Sequence, residues 1–187
     1  MHIRAATEAD LPAILAIYNE VIANTTAVYS ERAVSLEDRL AWFEGRRTSG
    51  FPVLVAVAAQ DAGDAAPGSN APGSTAPGST ALGSVVVGFA SFGDFRAWPC
   101  YRHTVEHSVH VAAGRRGEGV GRALLGALLP LAAAQDKHVM IAGVDADNAA
   151  SIGLHERMGF ERVAHLRQVG RKFDRWLDLV FLQRYVD

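Results

Sequence analysis

The sequence predicts an α/β fold with a mixed central sheet and helices on both of its faces. Three observations predict it. Residues 51–59 (FPVLVAVAA) form a near-continuous apolar run, suited to a strand covered on two sides. Residues 11–22 carry apolar side chains at helical spacing. Residues 103–112 (HTVEHSVHVA) alternate like a strand and lead through a glycine-rich turn into another helical period.

Taken in order, residues 2–6 form a short first strand. Thr7 can cap a helix, and Glu8 and Asp10 suit the positive end of its dipole. Leu11, Ile14, Leu15, Ile17, Tyr18, Val21 and Ile22 make its apolar stripe. A loop over 24–34 carries Tyr29. Ser35 opens a second helix, with Leu36, Leu40, Trp42 and Phe43 expected on its buried side. Residues 51–59 and 85–92 are apolar strands. Between them stand three APGS units and a decayed copy, so residues 62–84 are expected to form a flexible extension of a hairpin tip. Loop-closure entropy grows only logarithmically, so such an extension costs about 1 kcal/mol more than a tight turn.

Residues 103–112 are the next strand, and 119–135 a helix through Leu124, Leu125, Leu128, Leu129 and Leu131. Pro130 lacks an N–H and is expected to kink or end that helix. Residues 138–143 form a buried strand and 148–158 a short helix stopped by Gly159. Strands over 160–167 and 176–183 finish the chain. The order is β-α-α-β-β-β-α-β-α-β-β.

The chain has 187 residues, the size of one domain, and its composition is that of a globular protein. A net charge of −2, without any Lys/Arg run, argues against a nucleic-acid partner. One cysteine, Cys100, permits no intrachain disulfide and fits a reducing compartment. The first residues carry charges where a signal peptide needs an apolar run, and no stretch is long and apolar enough for a membrane span. A cytoplasmic location is expected.

The turn after 103–112 reads Arg115-Arg116-Gly117-Glu118-Gly119-Val120-Gly121-Arg122. Glycines between a strand and a helix N-terminus present backbone N–H groups without Cβ obstruction, and the helix dipole favours an anion there. Arg116 and Arg122 add charge. The spacing fits neither GxxxxGK[ST] nor GxGxxG. It is R-x-x-G-x-G, carried by Arg116, Gly119 and Gly121.

That pattern resembles the pyrophosphate-binding motif of the GNAT superfamily of N-acetyltransferases. A second resemblance follows at Asn148, Ser151 and Leu154-His155-Glu156-Arg157-Met158-Gly159-Phe160. The stretches Tyr18-Asn19, Phe92-Gly93-Asp94-Phe95-Arg96, Arg102-His103-Thr104-Val105-Glu106-His107-Ser108-Val109 and Val169-Gly170-Arg171-Lys172-Phe173-Asp174-Arg175-Trp176-Leu177-Asp178-Leu179 are similar to the phosphinothricin N-acetyltransferase subgroup, and more closely to its members acting on methionine sulfoximine and methionine sulfone. The resemblance covers nearly the whole chain outside 62–84. It implies the GNAT fold, acetyl-CoA as co-substrate without a metal, a small amine acceptor and a homodimer.

The resemblance also implies roles for residues. Backbone groups of Val109, His110 and Val111 would pair with the pantetheine arm. Gly117, Glu118, Gly119, Val120, Gly121 and Arg122, with Arg116, would hold the pyrophosphate, and Asn148 would bond the pantetheine or the thioester region. Glu106, a charge in an apolar and hydroxylic strand, stands where the family has its base; the residues alone leave an ion pair with Arg102 equally open. His155 stands in the helix position from which the family protonates the departing thiolate; an intrahelix hydrogen bond is the alternative.

For the acceptor, Arg96 and Arg102 can clamp a carboxylate, Trp98 and Tyr101 can wall a slot, and Tyr29 can close the site. Two arginines favour an amino acid over a polyamine or an aminoglycoside. A peptide N-terminus, another amine, or a non-catalytic acyl-CoA module are the competing readings. His103, His107 and His110 do not read as a metal site, because strand parity puts His110 opposite the other two. Cys100 has no evident base beside it and reads as an ordinary thiol.

Overall fold

The computed structural model describes residues 1–59 and 84–187. Its elements are β1 (His2–Ala5), α1 (Leu11–Asn24), α2 (Leu36–Thr48), β2 (Val53–Ala59), β3 (Ser84–Asp94), β4 (Thr104–Val111), α3 (Val120–Ala133), β5 (Val139–Asp145), α4 (Ala149–Arg157), β6 (Glu161–Lys172) and β7 (Arg175–Tyr185). This is the order read from the sequence. The expected insert at 62–84 lies outside the described residues, except that Ser84 opens β3 opposite Ala59 of β2. Among the described residues no helix is long and apolar enough to cross a membrane.

The strands form one seven-stranded sheet in the order β1-β2-β3-β4-β5-β7-β6. Alternation along the strands sends apolar side chains to two separate cores. On one face Leu54, Ala56, Ala90, Phe92, Met140 and Leu182 pack under Leu124, Leu125 and Leu128 of α3. On the other, Val53, Val55 and Phe89 meet Leu11, Ile14 and Ile17 of α1 and Phe43 of α2. Both faces are therefore helix-covered, as expected.

Three local expectations are corrected or refined. The α1 start is a 3-10 turn over Glu8–Asp10 before the α-helix proper, and the Asp10 carboxylate accepts from the Thr7 backbone at 2.8 Å and from Arg4 at 2.7 Å. In α2 the cap at Ser35 forms as expected, with reciprocal bonds to Asp38. Its buried side, however, is Arg39 and Phe43, while Leu36 and Leu40 are exposed. The Arg39 guanidinium lies 4.0 Å from the Tyr18 ring centroid and 4.6 Å from that of Trp42. A cation stacked on two rings occupies the buried face, an arrangement that counting apolar residues does not register. Finally, α3 continues past Pro130 to Ala133. Pro130 is exposed and close to the helix end, so it removes a single bond on the solvent side.

The feature that places the site is a parting of the sheet. Every neighbouring pair is antiparallel except β4 and β5, which run parallel. They pair only over Thr104–Glu106 and Val139–Ile141. Beyond Glu106, β4 stays with β3 and β5 stays with β7 as far as Asp145. The two halves of the sheet thus separate along the last residues of both strands.

Candidate active site

A cleft of about 1000 Å³ fills that gap. It is lined by His107–Val111 of β4, by residues 142–145 of β5, by the turn after β4, by Asn148, Ser151 and His155 of the α4 region, and by Thr25, Thr26 and Ala27.

The register of β4 on β3 decides which backbone groups face the cleft. Ala112 donates to Val87 across the ladder, so the even-numbered partners of β4, including His110 opposite Phe89, bond to β3. The amides and carbonyls of His107, Val109 and Val111 therefore point to the gap. Of the three residues named for the pantetheine arm, Val109 and Val111 thus turn their backbone to the cleft, while the backbone of His110 belongs to the ladder. The His110 ring is buried against Tyr18 at 5.3 Å and Phe89 at 5.0 Å. Burial first, then Arg39 and Arg116, pulls its pKa down to about 4, so it is neutral.

The glycine turn has the predicted form. Gly117 and Gly119 have φ of 85° and 83°, a left-handed backbone open to glycine at little cost. Gly119 is the N-cap of α3, and space around it is open. Gly121 sits close to Val109, Val111 and Leu154, which brings the helix start against β4. The N–H groups of the first α3 turn thus face the cleft end. The arginines are less free than expected. Arg116 binds the Glu20 carboxylate at 2.6 Å and the Val111 carbonyl at 3.2 Å, so it fastens the turn to α1 and β4. Arg122 lines the cleft. Asn148 caps α4, its Oδ1 accepting from the Ser151 N–H at 3.1 Å, which leaves its amide N–H2 to donate to a ligand.

Glu106 occupies the last paired position of β4, beside Gly93 of β3 and Ile141 of β5. Its side chain leaves on the α1/α2 face and reaches Gly143, where an added Cβ would stand 3.0 Å from Oε1. No hydrogen bond or ion pair holds its carboxylate among the described residues, so the pairing with Arg102 does not form. Burial raises its pKa above the ordinary glutamate value, and the positive charge of Arg96 opposes that rise. A half-buried, unpaired carboxylate with a raised pKa is suited to taking a proton.

The surroundings of Glu106 away from the cleft are aromatic. Phe95 packs edge-on against Tyr101 at 6.0 Å and against Phe181 at 6.2 Å, and the Arg96 guanidinium lies 4.0 Å from the Phe95 centroid. Arg96 and Tyr101 therefore belong to one cluster with Phe95 and Phe181, neither of which sequence reading singled out. Trp98 is 73% exposed, and the Arg102 side chain makes no bond among the described residues, so these two are not drawn into the cluster. Cys100 is exposed. Tyr29 donates to the Asp178 carbonyl at 2.8 Å and lies flat over Gly170, where an added Cβ would come within 2.3 Å of the ring. Burial, then Asp145, Asp178 and Asp147, pushes its phenol up to about 12. The loop it belongs to is also pinned by Lys172, buried, whose Nζ donates to the carbonyls of Ile22 at 2.7 Å and Val28 at 2.8 Å.

His155 is buried, and its ring is committed. Nδ1–H donates to the Ser151 carbonyl at 2.7 Å, and Nε2 lies 3.2 Å from Nε2 of His107. Burial lowers its pKa and the Ser151 carbonyl partly restores it. In this arrangement the ring turns no free N–H to the cleft, whereas the resemblance implied an acid at this position. His103, which precedes β4, and the β4 histidines His107 and His110 do not converge: His103 meets Asp136 at the surface, His107 meets His155, and His110 lies on the opposite face.

Comparison with known proteins gives the family. Residues 60–160 match the model of the acetyltransferase (GNAT) family. The chain is 48% identical to the L-methionine sulfoximine/L-methionine sulfone acetyltransferase of Pseudomonas paraeruginosa, over 99% of this chain and 94% of that protein. An acetyltransferase from Salmonella typhimurium, solved with its cofactor acetyl-CoA, is 42% identical with a TM-score of 0.83, covering 100% of this chain and 94% of that one. A ribosomal-protein-alanine N-acetyltransferase from Brucella melitensis is 47% identical with a TM-score of 0.83, covering 99% of both chains. The parted sheet, the glycine turn at the N-terminus of α3 and these full-length likenesses lead to one conclusion: the chain belongs to the GNAT family and is an acetyltransferase.

Proposed function

We propose that this enzyme transfers the acetyl group of acetyl-CoA to the α-amine of a small amino acid of the methionine sulfoximine or methionine sulfone type, with Glu106 as the base. The observation that carries the reading is Glu106 itself: unpaired, half-buried, and set where β4 and β5 part. The pyrophosphate of acetyl-CoA lies on the N–H groups of the turn at Gly117–Arg122. Its pantetheine arm runs back along the cleft-facing backbone of Val111 and Val109, with Asn148 donating from the α4 side. The thioester then arrives beside Glu106.

An α-ammonium cannot attack until it loses a proton. Glu106 takes that proton, directly or through a water, and the neutral amine attacks the thioester carbon. The adduct's nitrogen still carries one proton too many; as the C–S bond breaks, that second proton passes, directly or through water, to the departing CoA sulfur. A thiolate is a good leaving group near neutral pH, so the step needs no imidazolium from His155. The acceptor carboxylate pairs with Arg96, and its side chain packs on Phe95, Tyr101 and Phe181. Trp98 and Arg102 reach the acceptor only by rotation from their exposed positions. The reaction takes place in the cytoplasm, a location that the single cysteine fits.

Arg96 offers a test of the acceptor class. Arg96→Ala should raise KM for methionine sulfone by about tenfold or more, the worth of one charge-assisted pair, with kcat little changed. The methyl ester of the same acceptor should lose as much with the wild type and nothing further with the variant. Equal KM values for acid and ester on the wild type would remove Arg96 as the carboxylate partner.

The enzyme acts as a homodimer in this proposal. β6 is the edge strand of the sheet, and it carries the exposed apolar side chains Val163, Leu166 and Val169, with Trp176 exposed on β7. Sedimentation should give twice the chain mass, and Val169→Lys should lower it toward the monomer. A wild-type monomer at micromolar concentration would contradict the assignment.

A further inference from the structure

We infer that His107, acting with His155 and Phe160, forms the floor of the acyl pocket and sets which acyl group the enzyme accepts. The inference rests on the acetyl-CoA placement proposed above and goes beyond it, because it concerns the far end of the thioester.

Its first support is position. The β4–β5 ladder stops at Glu106 opposite Ile141. His107, the next residue, turns to the opposite face from Glu106 and crosses to α4, the helix that follows β5. The His107 and His155 rings stack with centroids 5.1 Å apart, and Phe160 meets both edge-on at 5.7 and 5.2 Å. Where the ladder ends, the His107 and His155 rings line the cleft and Phe160 backs them. An arm laid along Val111 and Val109 from the glycine turn reaches His107 next. The amine arrives from the Glu106 face, so the acyl substituent packs against the ring face.

The second support is the chemistry of the pair. The Ser151 carbonyl can only accept, so His155 Nδ1 carries the hydrogen and the neutral ring leaves Nε2 bare. His107 must then donate from its own Nε2–H, which leaves His107 Nδ1 as an acceptor. That nitrogen is buried and has no partner among the described residues. Burial first, then His155 and His110, pulls the His107 pKa down to about 3, so the ring is not charged. An unpaired buried acceptor costs about 1–3 kcal/mol, which a phenylalanine or leucine at this place would avoid. Packing alone therefore gives no reason for a histidine. The directed bond to His155 does: it holds β4 and α4 at a fixed separation beneath the thioester.

The test is calorimetric binding of acetyl-, propionyl- and butyryl-CoA to the full chain, which needs no turnover. The wild type should prefer acetyl-CoA. His107→Ala opens the floor and should shift the butyryl-to-acetyl affinity ratio toward butyryl by about tenfold or more, the scale for methylenes in a fitted pocket. Phe160→Leu opens it from the other side and should shift the ratio in the same direction, so the inference is tested even if one variant folds poorly. His107→Gln keeps an N–H at similar reach and should restore most of the wild-type ratio. An unchanged ratio in a folded His107→Ala or Phe160→Leu protein that still binds acetyl-CoA overturns this inference alone. Failure of the wild type to bind acetyl-CoA overturns the proposed function with it.

Discussion

Glu106→Gln should lower kcat by about 10²- to 10⁴-fold, the usual worth of a positioned general base, and leave acetyl-CoA affinity within about twofold. The amide keeps the shape and loses the basicity. Two further results separate this from general damage. The wild-type kcat/KM should fall on the acid side with an apparent pKa above the ordinary glutamate range, because burial raises Glu106 and Arg96 only partly offsets it. That limb should vanish in the variant. Stability should move in the opposite direction to activity. A carboxyl whose pKa is raised by folding binds its proton more tightly in the folded state. Ionising it costs stability as pH rises from the unfolded value to the folded one, and the cost persists above that window. At pH 8 the glutamine variant should therefore melt no lower than the wild type, and higher if the desolvation is undiminished by water. Unchanged turnover would remove Glu106 as the base, and lost turnover with a large fall in melting temperature would make its role structural.

Gly119→Val should weaken acetyl-CoA binding by about 100-fold. The backbone there has φ of 83°, a region a β-branched residue enters only with strain. Relief of that strain rotates the turn and takes its N–H groups off the phosphate line. Loss of one or two hydrogen bonds to a charged group, at about 1.5–3 kcal/mol each, accounts for the magnitude. Space around Gly119 is open, so the effect comes from the backbone and not from a clash with neighbouring side chains. Calorimetry with acetyl-CoA reads it directly; equal affinity would remove this turn as the phosphate site.

Much of this arrangement is legible in the sequence because it is local. Alternation in HTVEHSVHVA marks β4, and the glycines that follow it require a left-handed turn before a helix. The order of elements follows from period alone. Register is harder to read. Val109, His110 and Val111 are consecutive, yet only the outer two turn their backbone to the cleft, and that is set by which residues of β3 they face. The buried side of α2 was missed for a different reason: a cation stacked on Tyr18 and Trp42 takes the place expected of Leu36 and Leu40. The aromatic cluster near Glu106 is the least legible. Phe95 follows the last residue of β3 and Phe181 lies midway along β7, and the two meet only through the sheet order β3-β4-β5-β7. The same holds for His107 and His155, whose bond turns a catalytic candidate into a neutral, fixed ring.

Release of free thiol from acetyl-CoA across a panel of amines tests the central claim most directly. The panel holds methionine sulfoximine, methionine sulfone, phosphinothricin, spermidine, kanamycin and a short peptide with an N-terminal alanine. The account predicts turnover with the first three and none above background with the others. Turnover confined to the peptide, the polyamine or the antibiotic, or silence across the panel, would contradict it.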